Sequence, residues 1–197
     1  MTRKLVFFVG GAGAGKTTLA KALAGKRGMA LFDMDTLLQP AAKAIMTAAG
    51  LDPYDRDSAE YKKLCRDLGY RITMDAALEN VALGTDTVVI GPFTKELNDP
   101  LWIEQELSSI GASFEDVDVK VVIVYLPDQE SYRGRISQRG LKLDEWKLEH
   151  WSEFSRSLER RELAWNLPES SLLQFDNSEP FSELTIARLE GFIDGEG

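Results

Sequence analysis

The run Gly10-Gly11-Ala12-Gly13-Ala14-Gly15-Lys16-Thr17 constrains this chain more than any other stretch. It satisfies G-x-x-x-x-G-K-[ST] in full, between an apolar run (Leu5 to Val9) and a helical pattern (Thr17 to Leu23). Successive small residues let backbone N–H groups curl around an anion, and the free N–H groups at the start of the helix reach the same oxygens. In such a loop Lys16 is expected at the β- and γ-phosphates and the Thr17 hydroxyl on Mg²⁺, with Thr18 completing the cradle. The spacing is not that of the dinucleotide fingerprint G-x-G-x-x-G. No Asn-Lys-x-Asp guanine reader is present, so ATP·Mg²⁺ is the expected ligand.

The rest of the chain alternates strands and helices. Met29 to Phe32, Thr87 to Ile90, Val119 to Leu126 and Ser171 to Phe175 read as four further strands. Helical stretches run from Ala41 to Ala49, Ser58 to Leu68, Thr73 to Leu83 and Pro100 to Ile110, each ending at or near a glycine. Tyr61, Leu64, Cys65 and Leu68 form one stripe, and Asp144 is placed to cap a long helix carrying Leu148, Trp151, Ser155 and Leu158. Strands separated by helices predict a parallel α/β sheet in one domain spanning 1–197.

Asp33 and Asp35 follow the second strand, at the sheet edge where doubly wound folds bind ligands. Two carboxylates at i and i+2 can divide the work, one beside Mg²⁺ and one beside an acceptor hydroxyl. The third strand runs into Gly91-Pro92-Phe93 with no carboxylate at its tip, which argues against a motor or switch ATPase. Gly91 there would let backbone approach an acceptor closely.

The phosphate loop with Asp33-Met34-Asp35 resembles the P-loop small-molecule kinases, the group that includes shikimate kinase, gluconate kinase, chloramphenicol phosphotransferase and the zeta toxins. The resemblance implies a three-layer fold with a five-stranded parallel sheet ordered 2-3-1-4-5. It implies that Asp33 lies by Mg²⁺ and that Asp35 holds the acceptor hydroxyl. The acceptor-binding arginines of shikimate kinase have no convincing counterparts here.

Arg135 and Arg139 follow the fourth strand on one helix face, and guanidinium forks suit the charge that develops on a moving phosphoryl group. Residues 128–145 are similar to the lid of that family, with Gly140 as its hinge. Arg133 lies off that face, and Arg156, Arg160 and Arg161 sit among glutamates and read as solvated or paired. The insertion 39–80 reads as an acceptor-side flap bringing Arg56 or Arg71 to the substrate, with Lys95 at the same sheet edge. His150 has no second ligand nearby, and the dispersed tryptophans read as packing rather than as a base-stacking platform.

Net charge is −9, from 32 acidic against 23 basic residues, which weakens attraction to nucleic acid and anionic membranes. The lone Cys65 excludes an intrachain disulfide and agrees with a cytoplasmic setting. The expected partner is a small-molecule substrate, with monomer and homodimer both open. The sequence thus leads to an ATP-dependent phosphotransferase acting on a hydroxyl of a small polar metabolite or antibiotic. A polynucleotide 5′-kinase and a non-catalytic ATP-binding regulatory protein are the alternatives.

Overall fold

In the computed structural model, which describes residues 2–141 and 144–195, the chain forms a five-stranded parallel sheet flanked by helices. The elements are β1 (Arg3–Val9), α1 (Lys16–Arg27), β2 (Ala30–Asp33), α2 (Met34–Ala48), α3 (Ala59–Tyr61), α4 (Asp67–Ala82), β3 (Thr87–Ile90) and α5 (Trp102–Ser109). They continue with β4 (Val117–Tyr125), α6 (Gln129–Arg139), α7 (Glu145–Glu149), α8 (Trp151–Phe154), β5 (Leu172–Asp176) and α9 (Glu183–Asp194).

The sheet order is β2-β3-β1-β4-β5 and every pairing is parallel, as the resemblance implies. β1 is central, with Phe8 paired to Ile90 on one side and Val122 on the other. Its residues alternate between two cores. Leu5, Phe7 and Val9 face a cluster with Met74, Leu78, Ile103 and Trp165, while Val6 and Phe8 face one with Leu19, Leu23, Leu189 and Ile193. Burial on both faces is why β1 reads as a continuous apolar run. Trp102 and Trp165 stack in the first core with ring centroids 5.3 Å apart, a packing role. None of the helices described is long and apolar enough to cross a membrane.

Four expectations need correction. The second helix begins at Met34 rather than Ala41, and it runs through Pro40. Asp33, the last residue of β2, caps it, its Oδ1 accepting the Asp35 N–H at 3.1 Å, so Asp35 lies in the first turn of the helix. Pro40 cannot donate, which deprives that helix of one backbone bond without ending it.

Gly69 does not terminate a helix. Ala59 to Ala82 is one continuous helical stretch whose Lys62–Arg66 portion is a π-helix, with Gly69 buried inside it. A Cβ on Gly69 would lie 2.7 Å from Leu38 Cδ2, so this glycine serves the close approach of α2 and α4. The π-turn also shifts the face. Cys65 is fully buried, whereas Leu64 and Leu68 are 41% and 39% exposed, so the predicted stripe does not face inward as a unit.

The insertion 39–80 is only partly a flap. Its first part remains α2, and α4 packs against α2 and β2, leaving the intervening segment over the sheet edge. Finally, the long helix expected after Asp144 is broken into α7, α8 and a 3₁₀ turn, Ser155–Leu158. Asp144 makes no cap because its carboxylate is taken by Arg139 and Lys147.

Candidate active site

The phosphate loop joins β1 to α1 at the C-terminal edge of the sheet, and its backbone requires its glycines. Gly13 and Gly15 have φ of 86° and 97°, in the left-handed region that side chains avoid. A Cβ on Gly15 would also meet Asn177 Nδ2 at 2.2 Å. Asn177, just beyond β5, donates from Nδ2 to the Ala14 carbonyl at 2.7 Å and accepts from Arg135 through its own carbonyl. Arg135 also reaches the Ala14 carbonyl at 3.5 Å. Asn177 is a site residue that sequence reasoning missed. Its only signal was its position at the tip of the fifth strand.

The loop opens into a cavity of about 1040 Å³ that also takes in Asp33, Asp35, Arg56, Gly91, Arg135, Arg139 and Arg161. Of the expected acceptor residues, Arg71 and Lys95 are not among its lining. Arg71 is turned to the other side of α4, where it pairs with Glu106 at 2.8 Å and Asp75 at 2.7 Å. Lys95 is exposed beyond β3, and Thr94 lines the cavity in that loop instead. Gly91 does line it, but the space above Gly91 is filled by the Phe93 ring, whose Cε2 lies 2.7 Å from where a Gly91 Cβ would be. Phe93 is fully buried with φ of 43°, the one non-glycine in the left-handed region among the described residues.

Arg56 enters from the flap. Its guanidinium lies 5.1 Å from the Tyr61 ring centre, and its buried Nη1 has no hydrogen-bond partner among the described residues. Lys62 and Arg66, on the π-helical turn, line the same end. Arg139 forms a fork with Asp144, Nε to Oδ2 at 2.7 Å and Nη2 to Oδ1 at 2.9 Å. Lys147 reaches Asp144 at 3.1 Å and Asp57 of the flap at 3.8 Å, tying the segment after α6 to the acceptor end. Arg161, read from sequence as solvated or paired, lines the cavity. His150 lies outside that lining, its ring stacked on Trp146.

Charge is concentrated where phosphates would sit. Lys16 is half-buried and donates to the Gly11 carbonyl at 2.8 Å. Burial pushes its pKa down to about 8, with Asp35 and Asp33 opposing the shift and Arg139 and Arg161 adding to it. Asp33 is buried, and Thr17 Oγ1 donates to its Oδ2 at 3.4 Å. Burial raises the Asp33 carboxyl above its ordinary value, and the Asp35 charge adds to that. A hydroxyl and a buried carboxylate side by side are hard oxygen donors that fit Mg²⁺, an ion that takes few protein ligands and keeps water and phosphate for the rest.

The Lys16 shift has a definite sign. Its folded pKa lies below the unfolded one, so burying its charge costs stability below about pH 8, and the cost fades as pH rises toward 10.5. A bound triphosphate favours the charged form and restores the proton. Titration calorimetry with ATP at pH 8 in buffers of different ionisation enthalpy should therefore show uptake of about half a proton per site. Lys16→Met should abolish that uptake, and uptake unchanged in that variant would contradict the assignment.

The comparisons agree with this fold. A profile of the AAA domain family AAA_33 matches residues 5–161, whereas no curated protein sequence matches the chain. Among solved structures, a sugar kinase from Janibacter sp. is 22% identical with a TM-score of 0.60, over 98% of this chain and 95% of that one. A protein assigned as a kinase from Chloroflexus aurantiacus is 14% identical with a TM-score of 0.68, over 98% and 99%. Shikimate kinase from Acinetobacter baumannii is 17% identical with a TM-score of 0.50, over 99% and 95%. The chain belongs to the AAA domain family AAA_33, and its fold is that of the small-molecule P-loop kinases.

Proposed function

We propose that the protein transfers the γ-phosphoryl group of ATP to a hydroxyl of a small polar molecule. The observation that carries this reading is one continuous cavity joining two chemically different ends. The phosphate loop, Lys16, Thr17 and Asp33 share its lining with the flap residues Arg56, Tyr61 and Arg66, and the charge of Asp35 bears on both Lys16 and Tyr61. A protein that only bound nucleotide would have no use for a second, polar compartment with a guanidinium N–H at Arg56 that finds no acceptor among the described residues.

Thr17 and Asp33 would hold Mg²⁺, which supplies charge neutralisation on the phosphate oxygens. Lys16 binds and orients the β- and γ-phosphates, and the loop N–H groups fix the triphosphate at the N-terminus of α1. Asp35, in the first turn of α2, aligns the acceptor hydroxyl and takes its proton late in the transfer. The bond between the γ-phosphorus and the bridging oxygen breaks, its electron pair stays with ADP, and the hydroxyl oxygen forms the new bond. The sugar kinase and shikimate kinase similarities support an acceptor of hydroxylated, metabolite-like character. The acidic balance of the chain speaks against a polynucleotide acceptor.

Incubating the protein with γ-labelled ATP, Mg²⁺ and a panel of hydroxylated metabolites and antibiotics tests this. Label should move to at least one panel member. Saturable ATP binding without transfer across a broad panel would overturn the reading in favour of a nucleotide-binding regulator.

A further inference from the structure

We infer that Arg161, outside the lid, is a catalytic residue of this transfer that contacts the phosphoryl group as it moves. The inference rests on the phosphotransferase reading above. Three guanidinium groups from the C-terminal half line the phosphate end of the cavity, and the structure gives them different tasks. Arg135 is committed to bracing the loop through the carbonyls of Asn177 and Ala14. Arg139 has its fork filled by Asp144, a carboxylate that is itself only 2% exposed. Arg161 donates from Nη2 to the Ser157 carbonyl at 3.1 Å, while its buried Nε has no partner among the described residues.

A buried guanidinium N–H without an acceptor is a position waiting for one. The chain brings it there by packing. Leu158, three residues before Arg161, lies with its Cδ2 3.0 Å from where a Gly11 Cβ would be, so the turn Ser155–Leu158 is seated directly on the phosphate loop. From that seat the Arg161 charge bears on Lys16, whose ammonium it disfavours together with Arg139. Asp144 neutralises Arg139, but over the whole cavity lining eight lysine and arginine side chains stand against five carboxylates. The excess is positive, at the place where a triphosphate would put its terminal charge.

Transfer breaks the bond between the γ-phosphorus and the bridging oxygen, leaving the electron pair on ADP. It forms a bond to the acceptor oxygen, whose proton passes to Asp35. Negative charge on the three equatorial oxygens is met in that interval by the planar fork of Arg161, which an ammonium group cannot reproduce. Arg139 stays paired with Asp144, which also takes Lys147, as an element of the bridge to Asp57.

Binding of ADP·Mg²⁺ with and without fluoroaluminate tests this independently of the acceptor, because the fluoride complex imitates the planar phosphoryl group. Wild type should bind ADP·Mg²⁺ much more tightly with fluoroaluminate present. Arg161→Ala should bind ADP·Mg²⁺ within about threefold of wild type and lose about 100-fold of the fluoroaluminate affinity. Arg161→Lys should recover only part of it, and Arg156→Ala, an exposed residue outside the cavity lining, should behave as wild type. Thermal unfolding of the variants should match wild type. Full fluoroaluminate tightening in Arg161→Ala, with the loss appearing in Arg139→Ala instead, would overturn the inference alone. Wild type that binds ADP·Mg²⁺ with no tightening would overturn the phosphotransferase reading and this inference with it.

Discussion

Replacing Lys16 with alanine is expected to lower phosphoryl transfer at least about 100-fold, since loss of one such electrostatic contact in the transition state costs about 3 kcal/mol. The fold should survive. The loop loses the Lys16 bond to the Gly11 carbonyl, but Asn177 and Arg135 still hold the Ala14 carbonyl from outside. Removing a charge whose pKa burial has lowered to about 8 also removes a cost borne by the free protein below that pH. Steady-state turnover and a thermal melt on the same preparation separate the two effects. Near-normal turnover in Lys16→Ala would contradict the role of the loop in catalysis, and collapse of the melt would show that Lys16 is structural.

The aspartate pair should divide on substitution. Asp33→Asn keeps the start of α2, because asparagine caps helices about as well as aspartate. It weakens the oxygen cluster with Thr17, so the Mg²⁺ concentration for half-maximal rate should rise about tenfold or more. Asp35→Asn should retain ATP·Mg²⁺ binding but lose transfer by about 100-fold, the usual scale for a positioned acid–base group. Asp35 is exposed to the cavity, whereas Asp33 is buried against Thr17, and this asymmetry is what the assignment rests on. The reverse pattern would exchange their roles. Unimpaired activity in both variants would remove the pair from the chemistry.

The parts of the fold that sequence made legible are those governed by local rules. A doubly covered strand such as β1 is apolar at every position from Leu5 to Val9, and the phosphate loop needs glycine at fixed places, so both appear in the sequence directly. Strand order is set by tertiary packing, and it was reached through the family resemblance. The two helices misread between β2 and β3 share one cause. Pro40 and Gly69 carry the local signals of helix ends, yet the packing of α2 on α4 around Leu38 and Gly69 outweighs a lost hydrogen bond and a flexible residue.

The arginines were harder still, because a guanidinium is long and its task depends on which carboxylate lies in reach. Arg71 sits in a plausible stretch but finds Glu106 and Asp75 on the opposite side of α4. Arg161 read as solvated or paired among glutamates, and the expected long helix is instead broken into α7, α8 and the turn Ser155–Leu158, which sits on the loop just before it. Asn177 has no motif of its own. Its importance arises from a contact across 163 positions of sequence with Ala14.

The proposed reaction consumes ATP to make a phosphomonoester. Phosphorus NMR on a reaction with ATP, Mg²⁺ and the acceptor found by panel screening tests it most directly. A new phosphomonoester resonance should grow in step with ADP, one for one, and neither should form with Lys16→Ala. ADP accompanied only by inorganic phosphate, at the same rate with and without every acceptor, would contradict it.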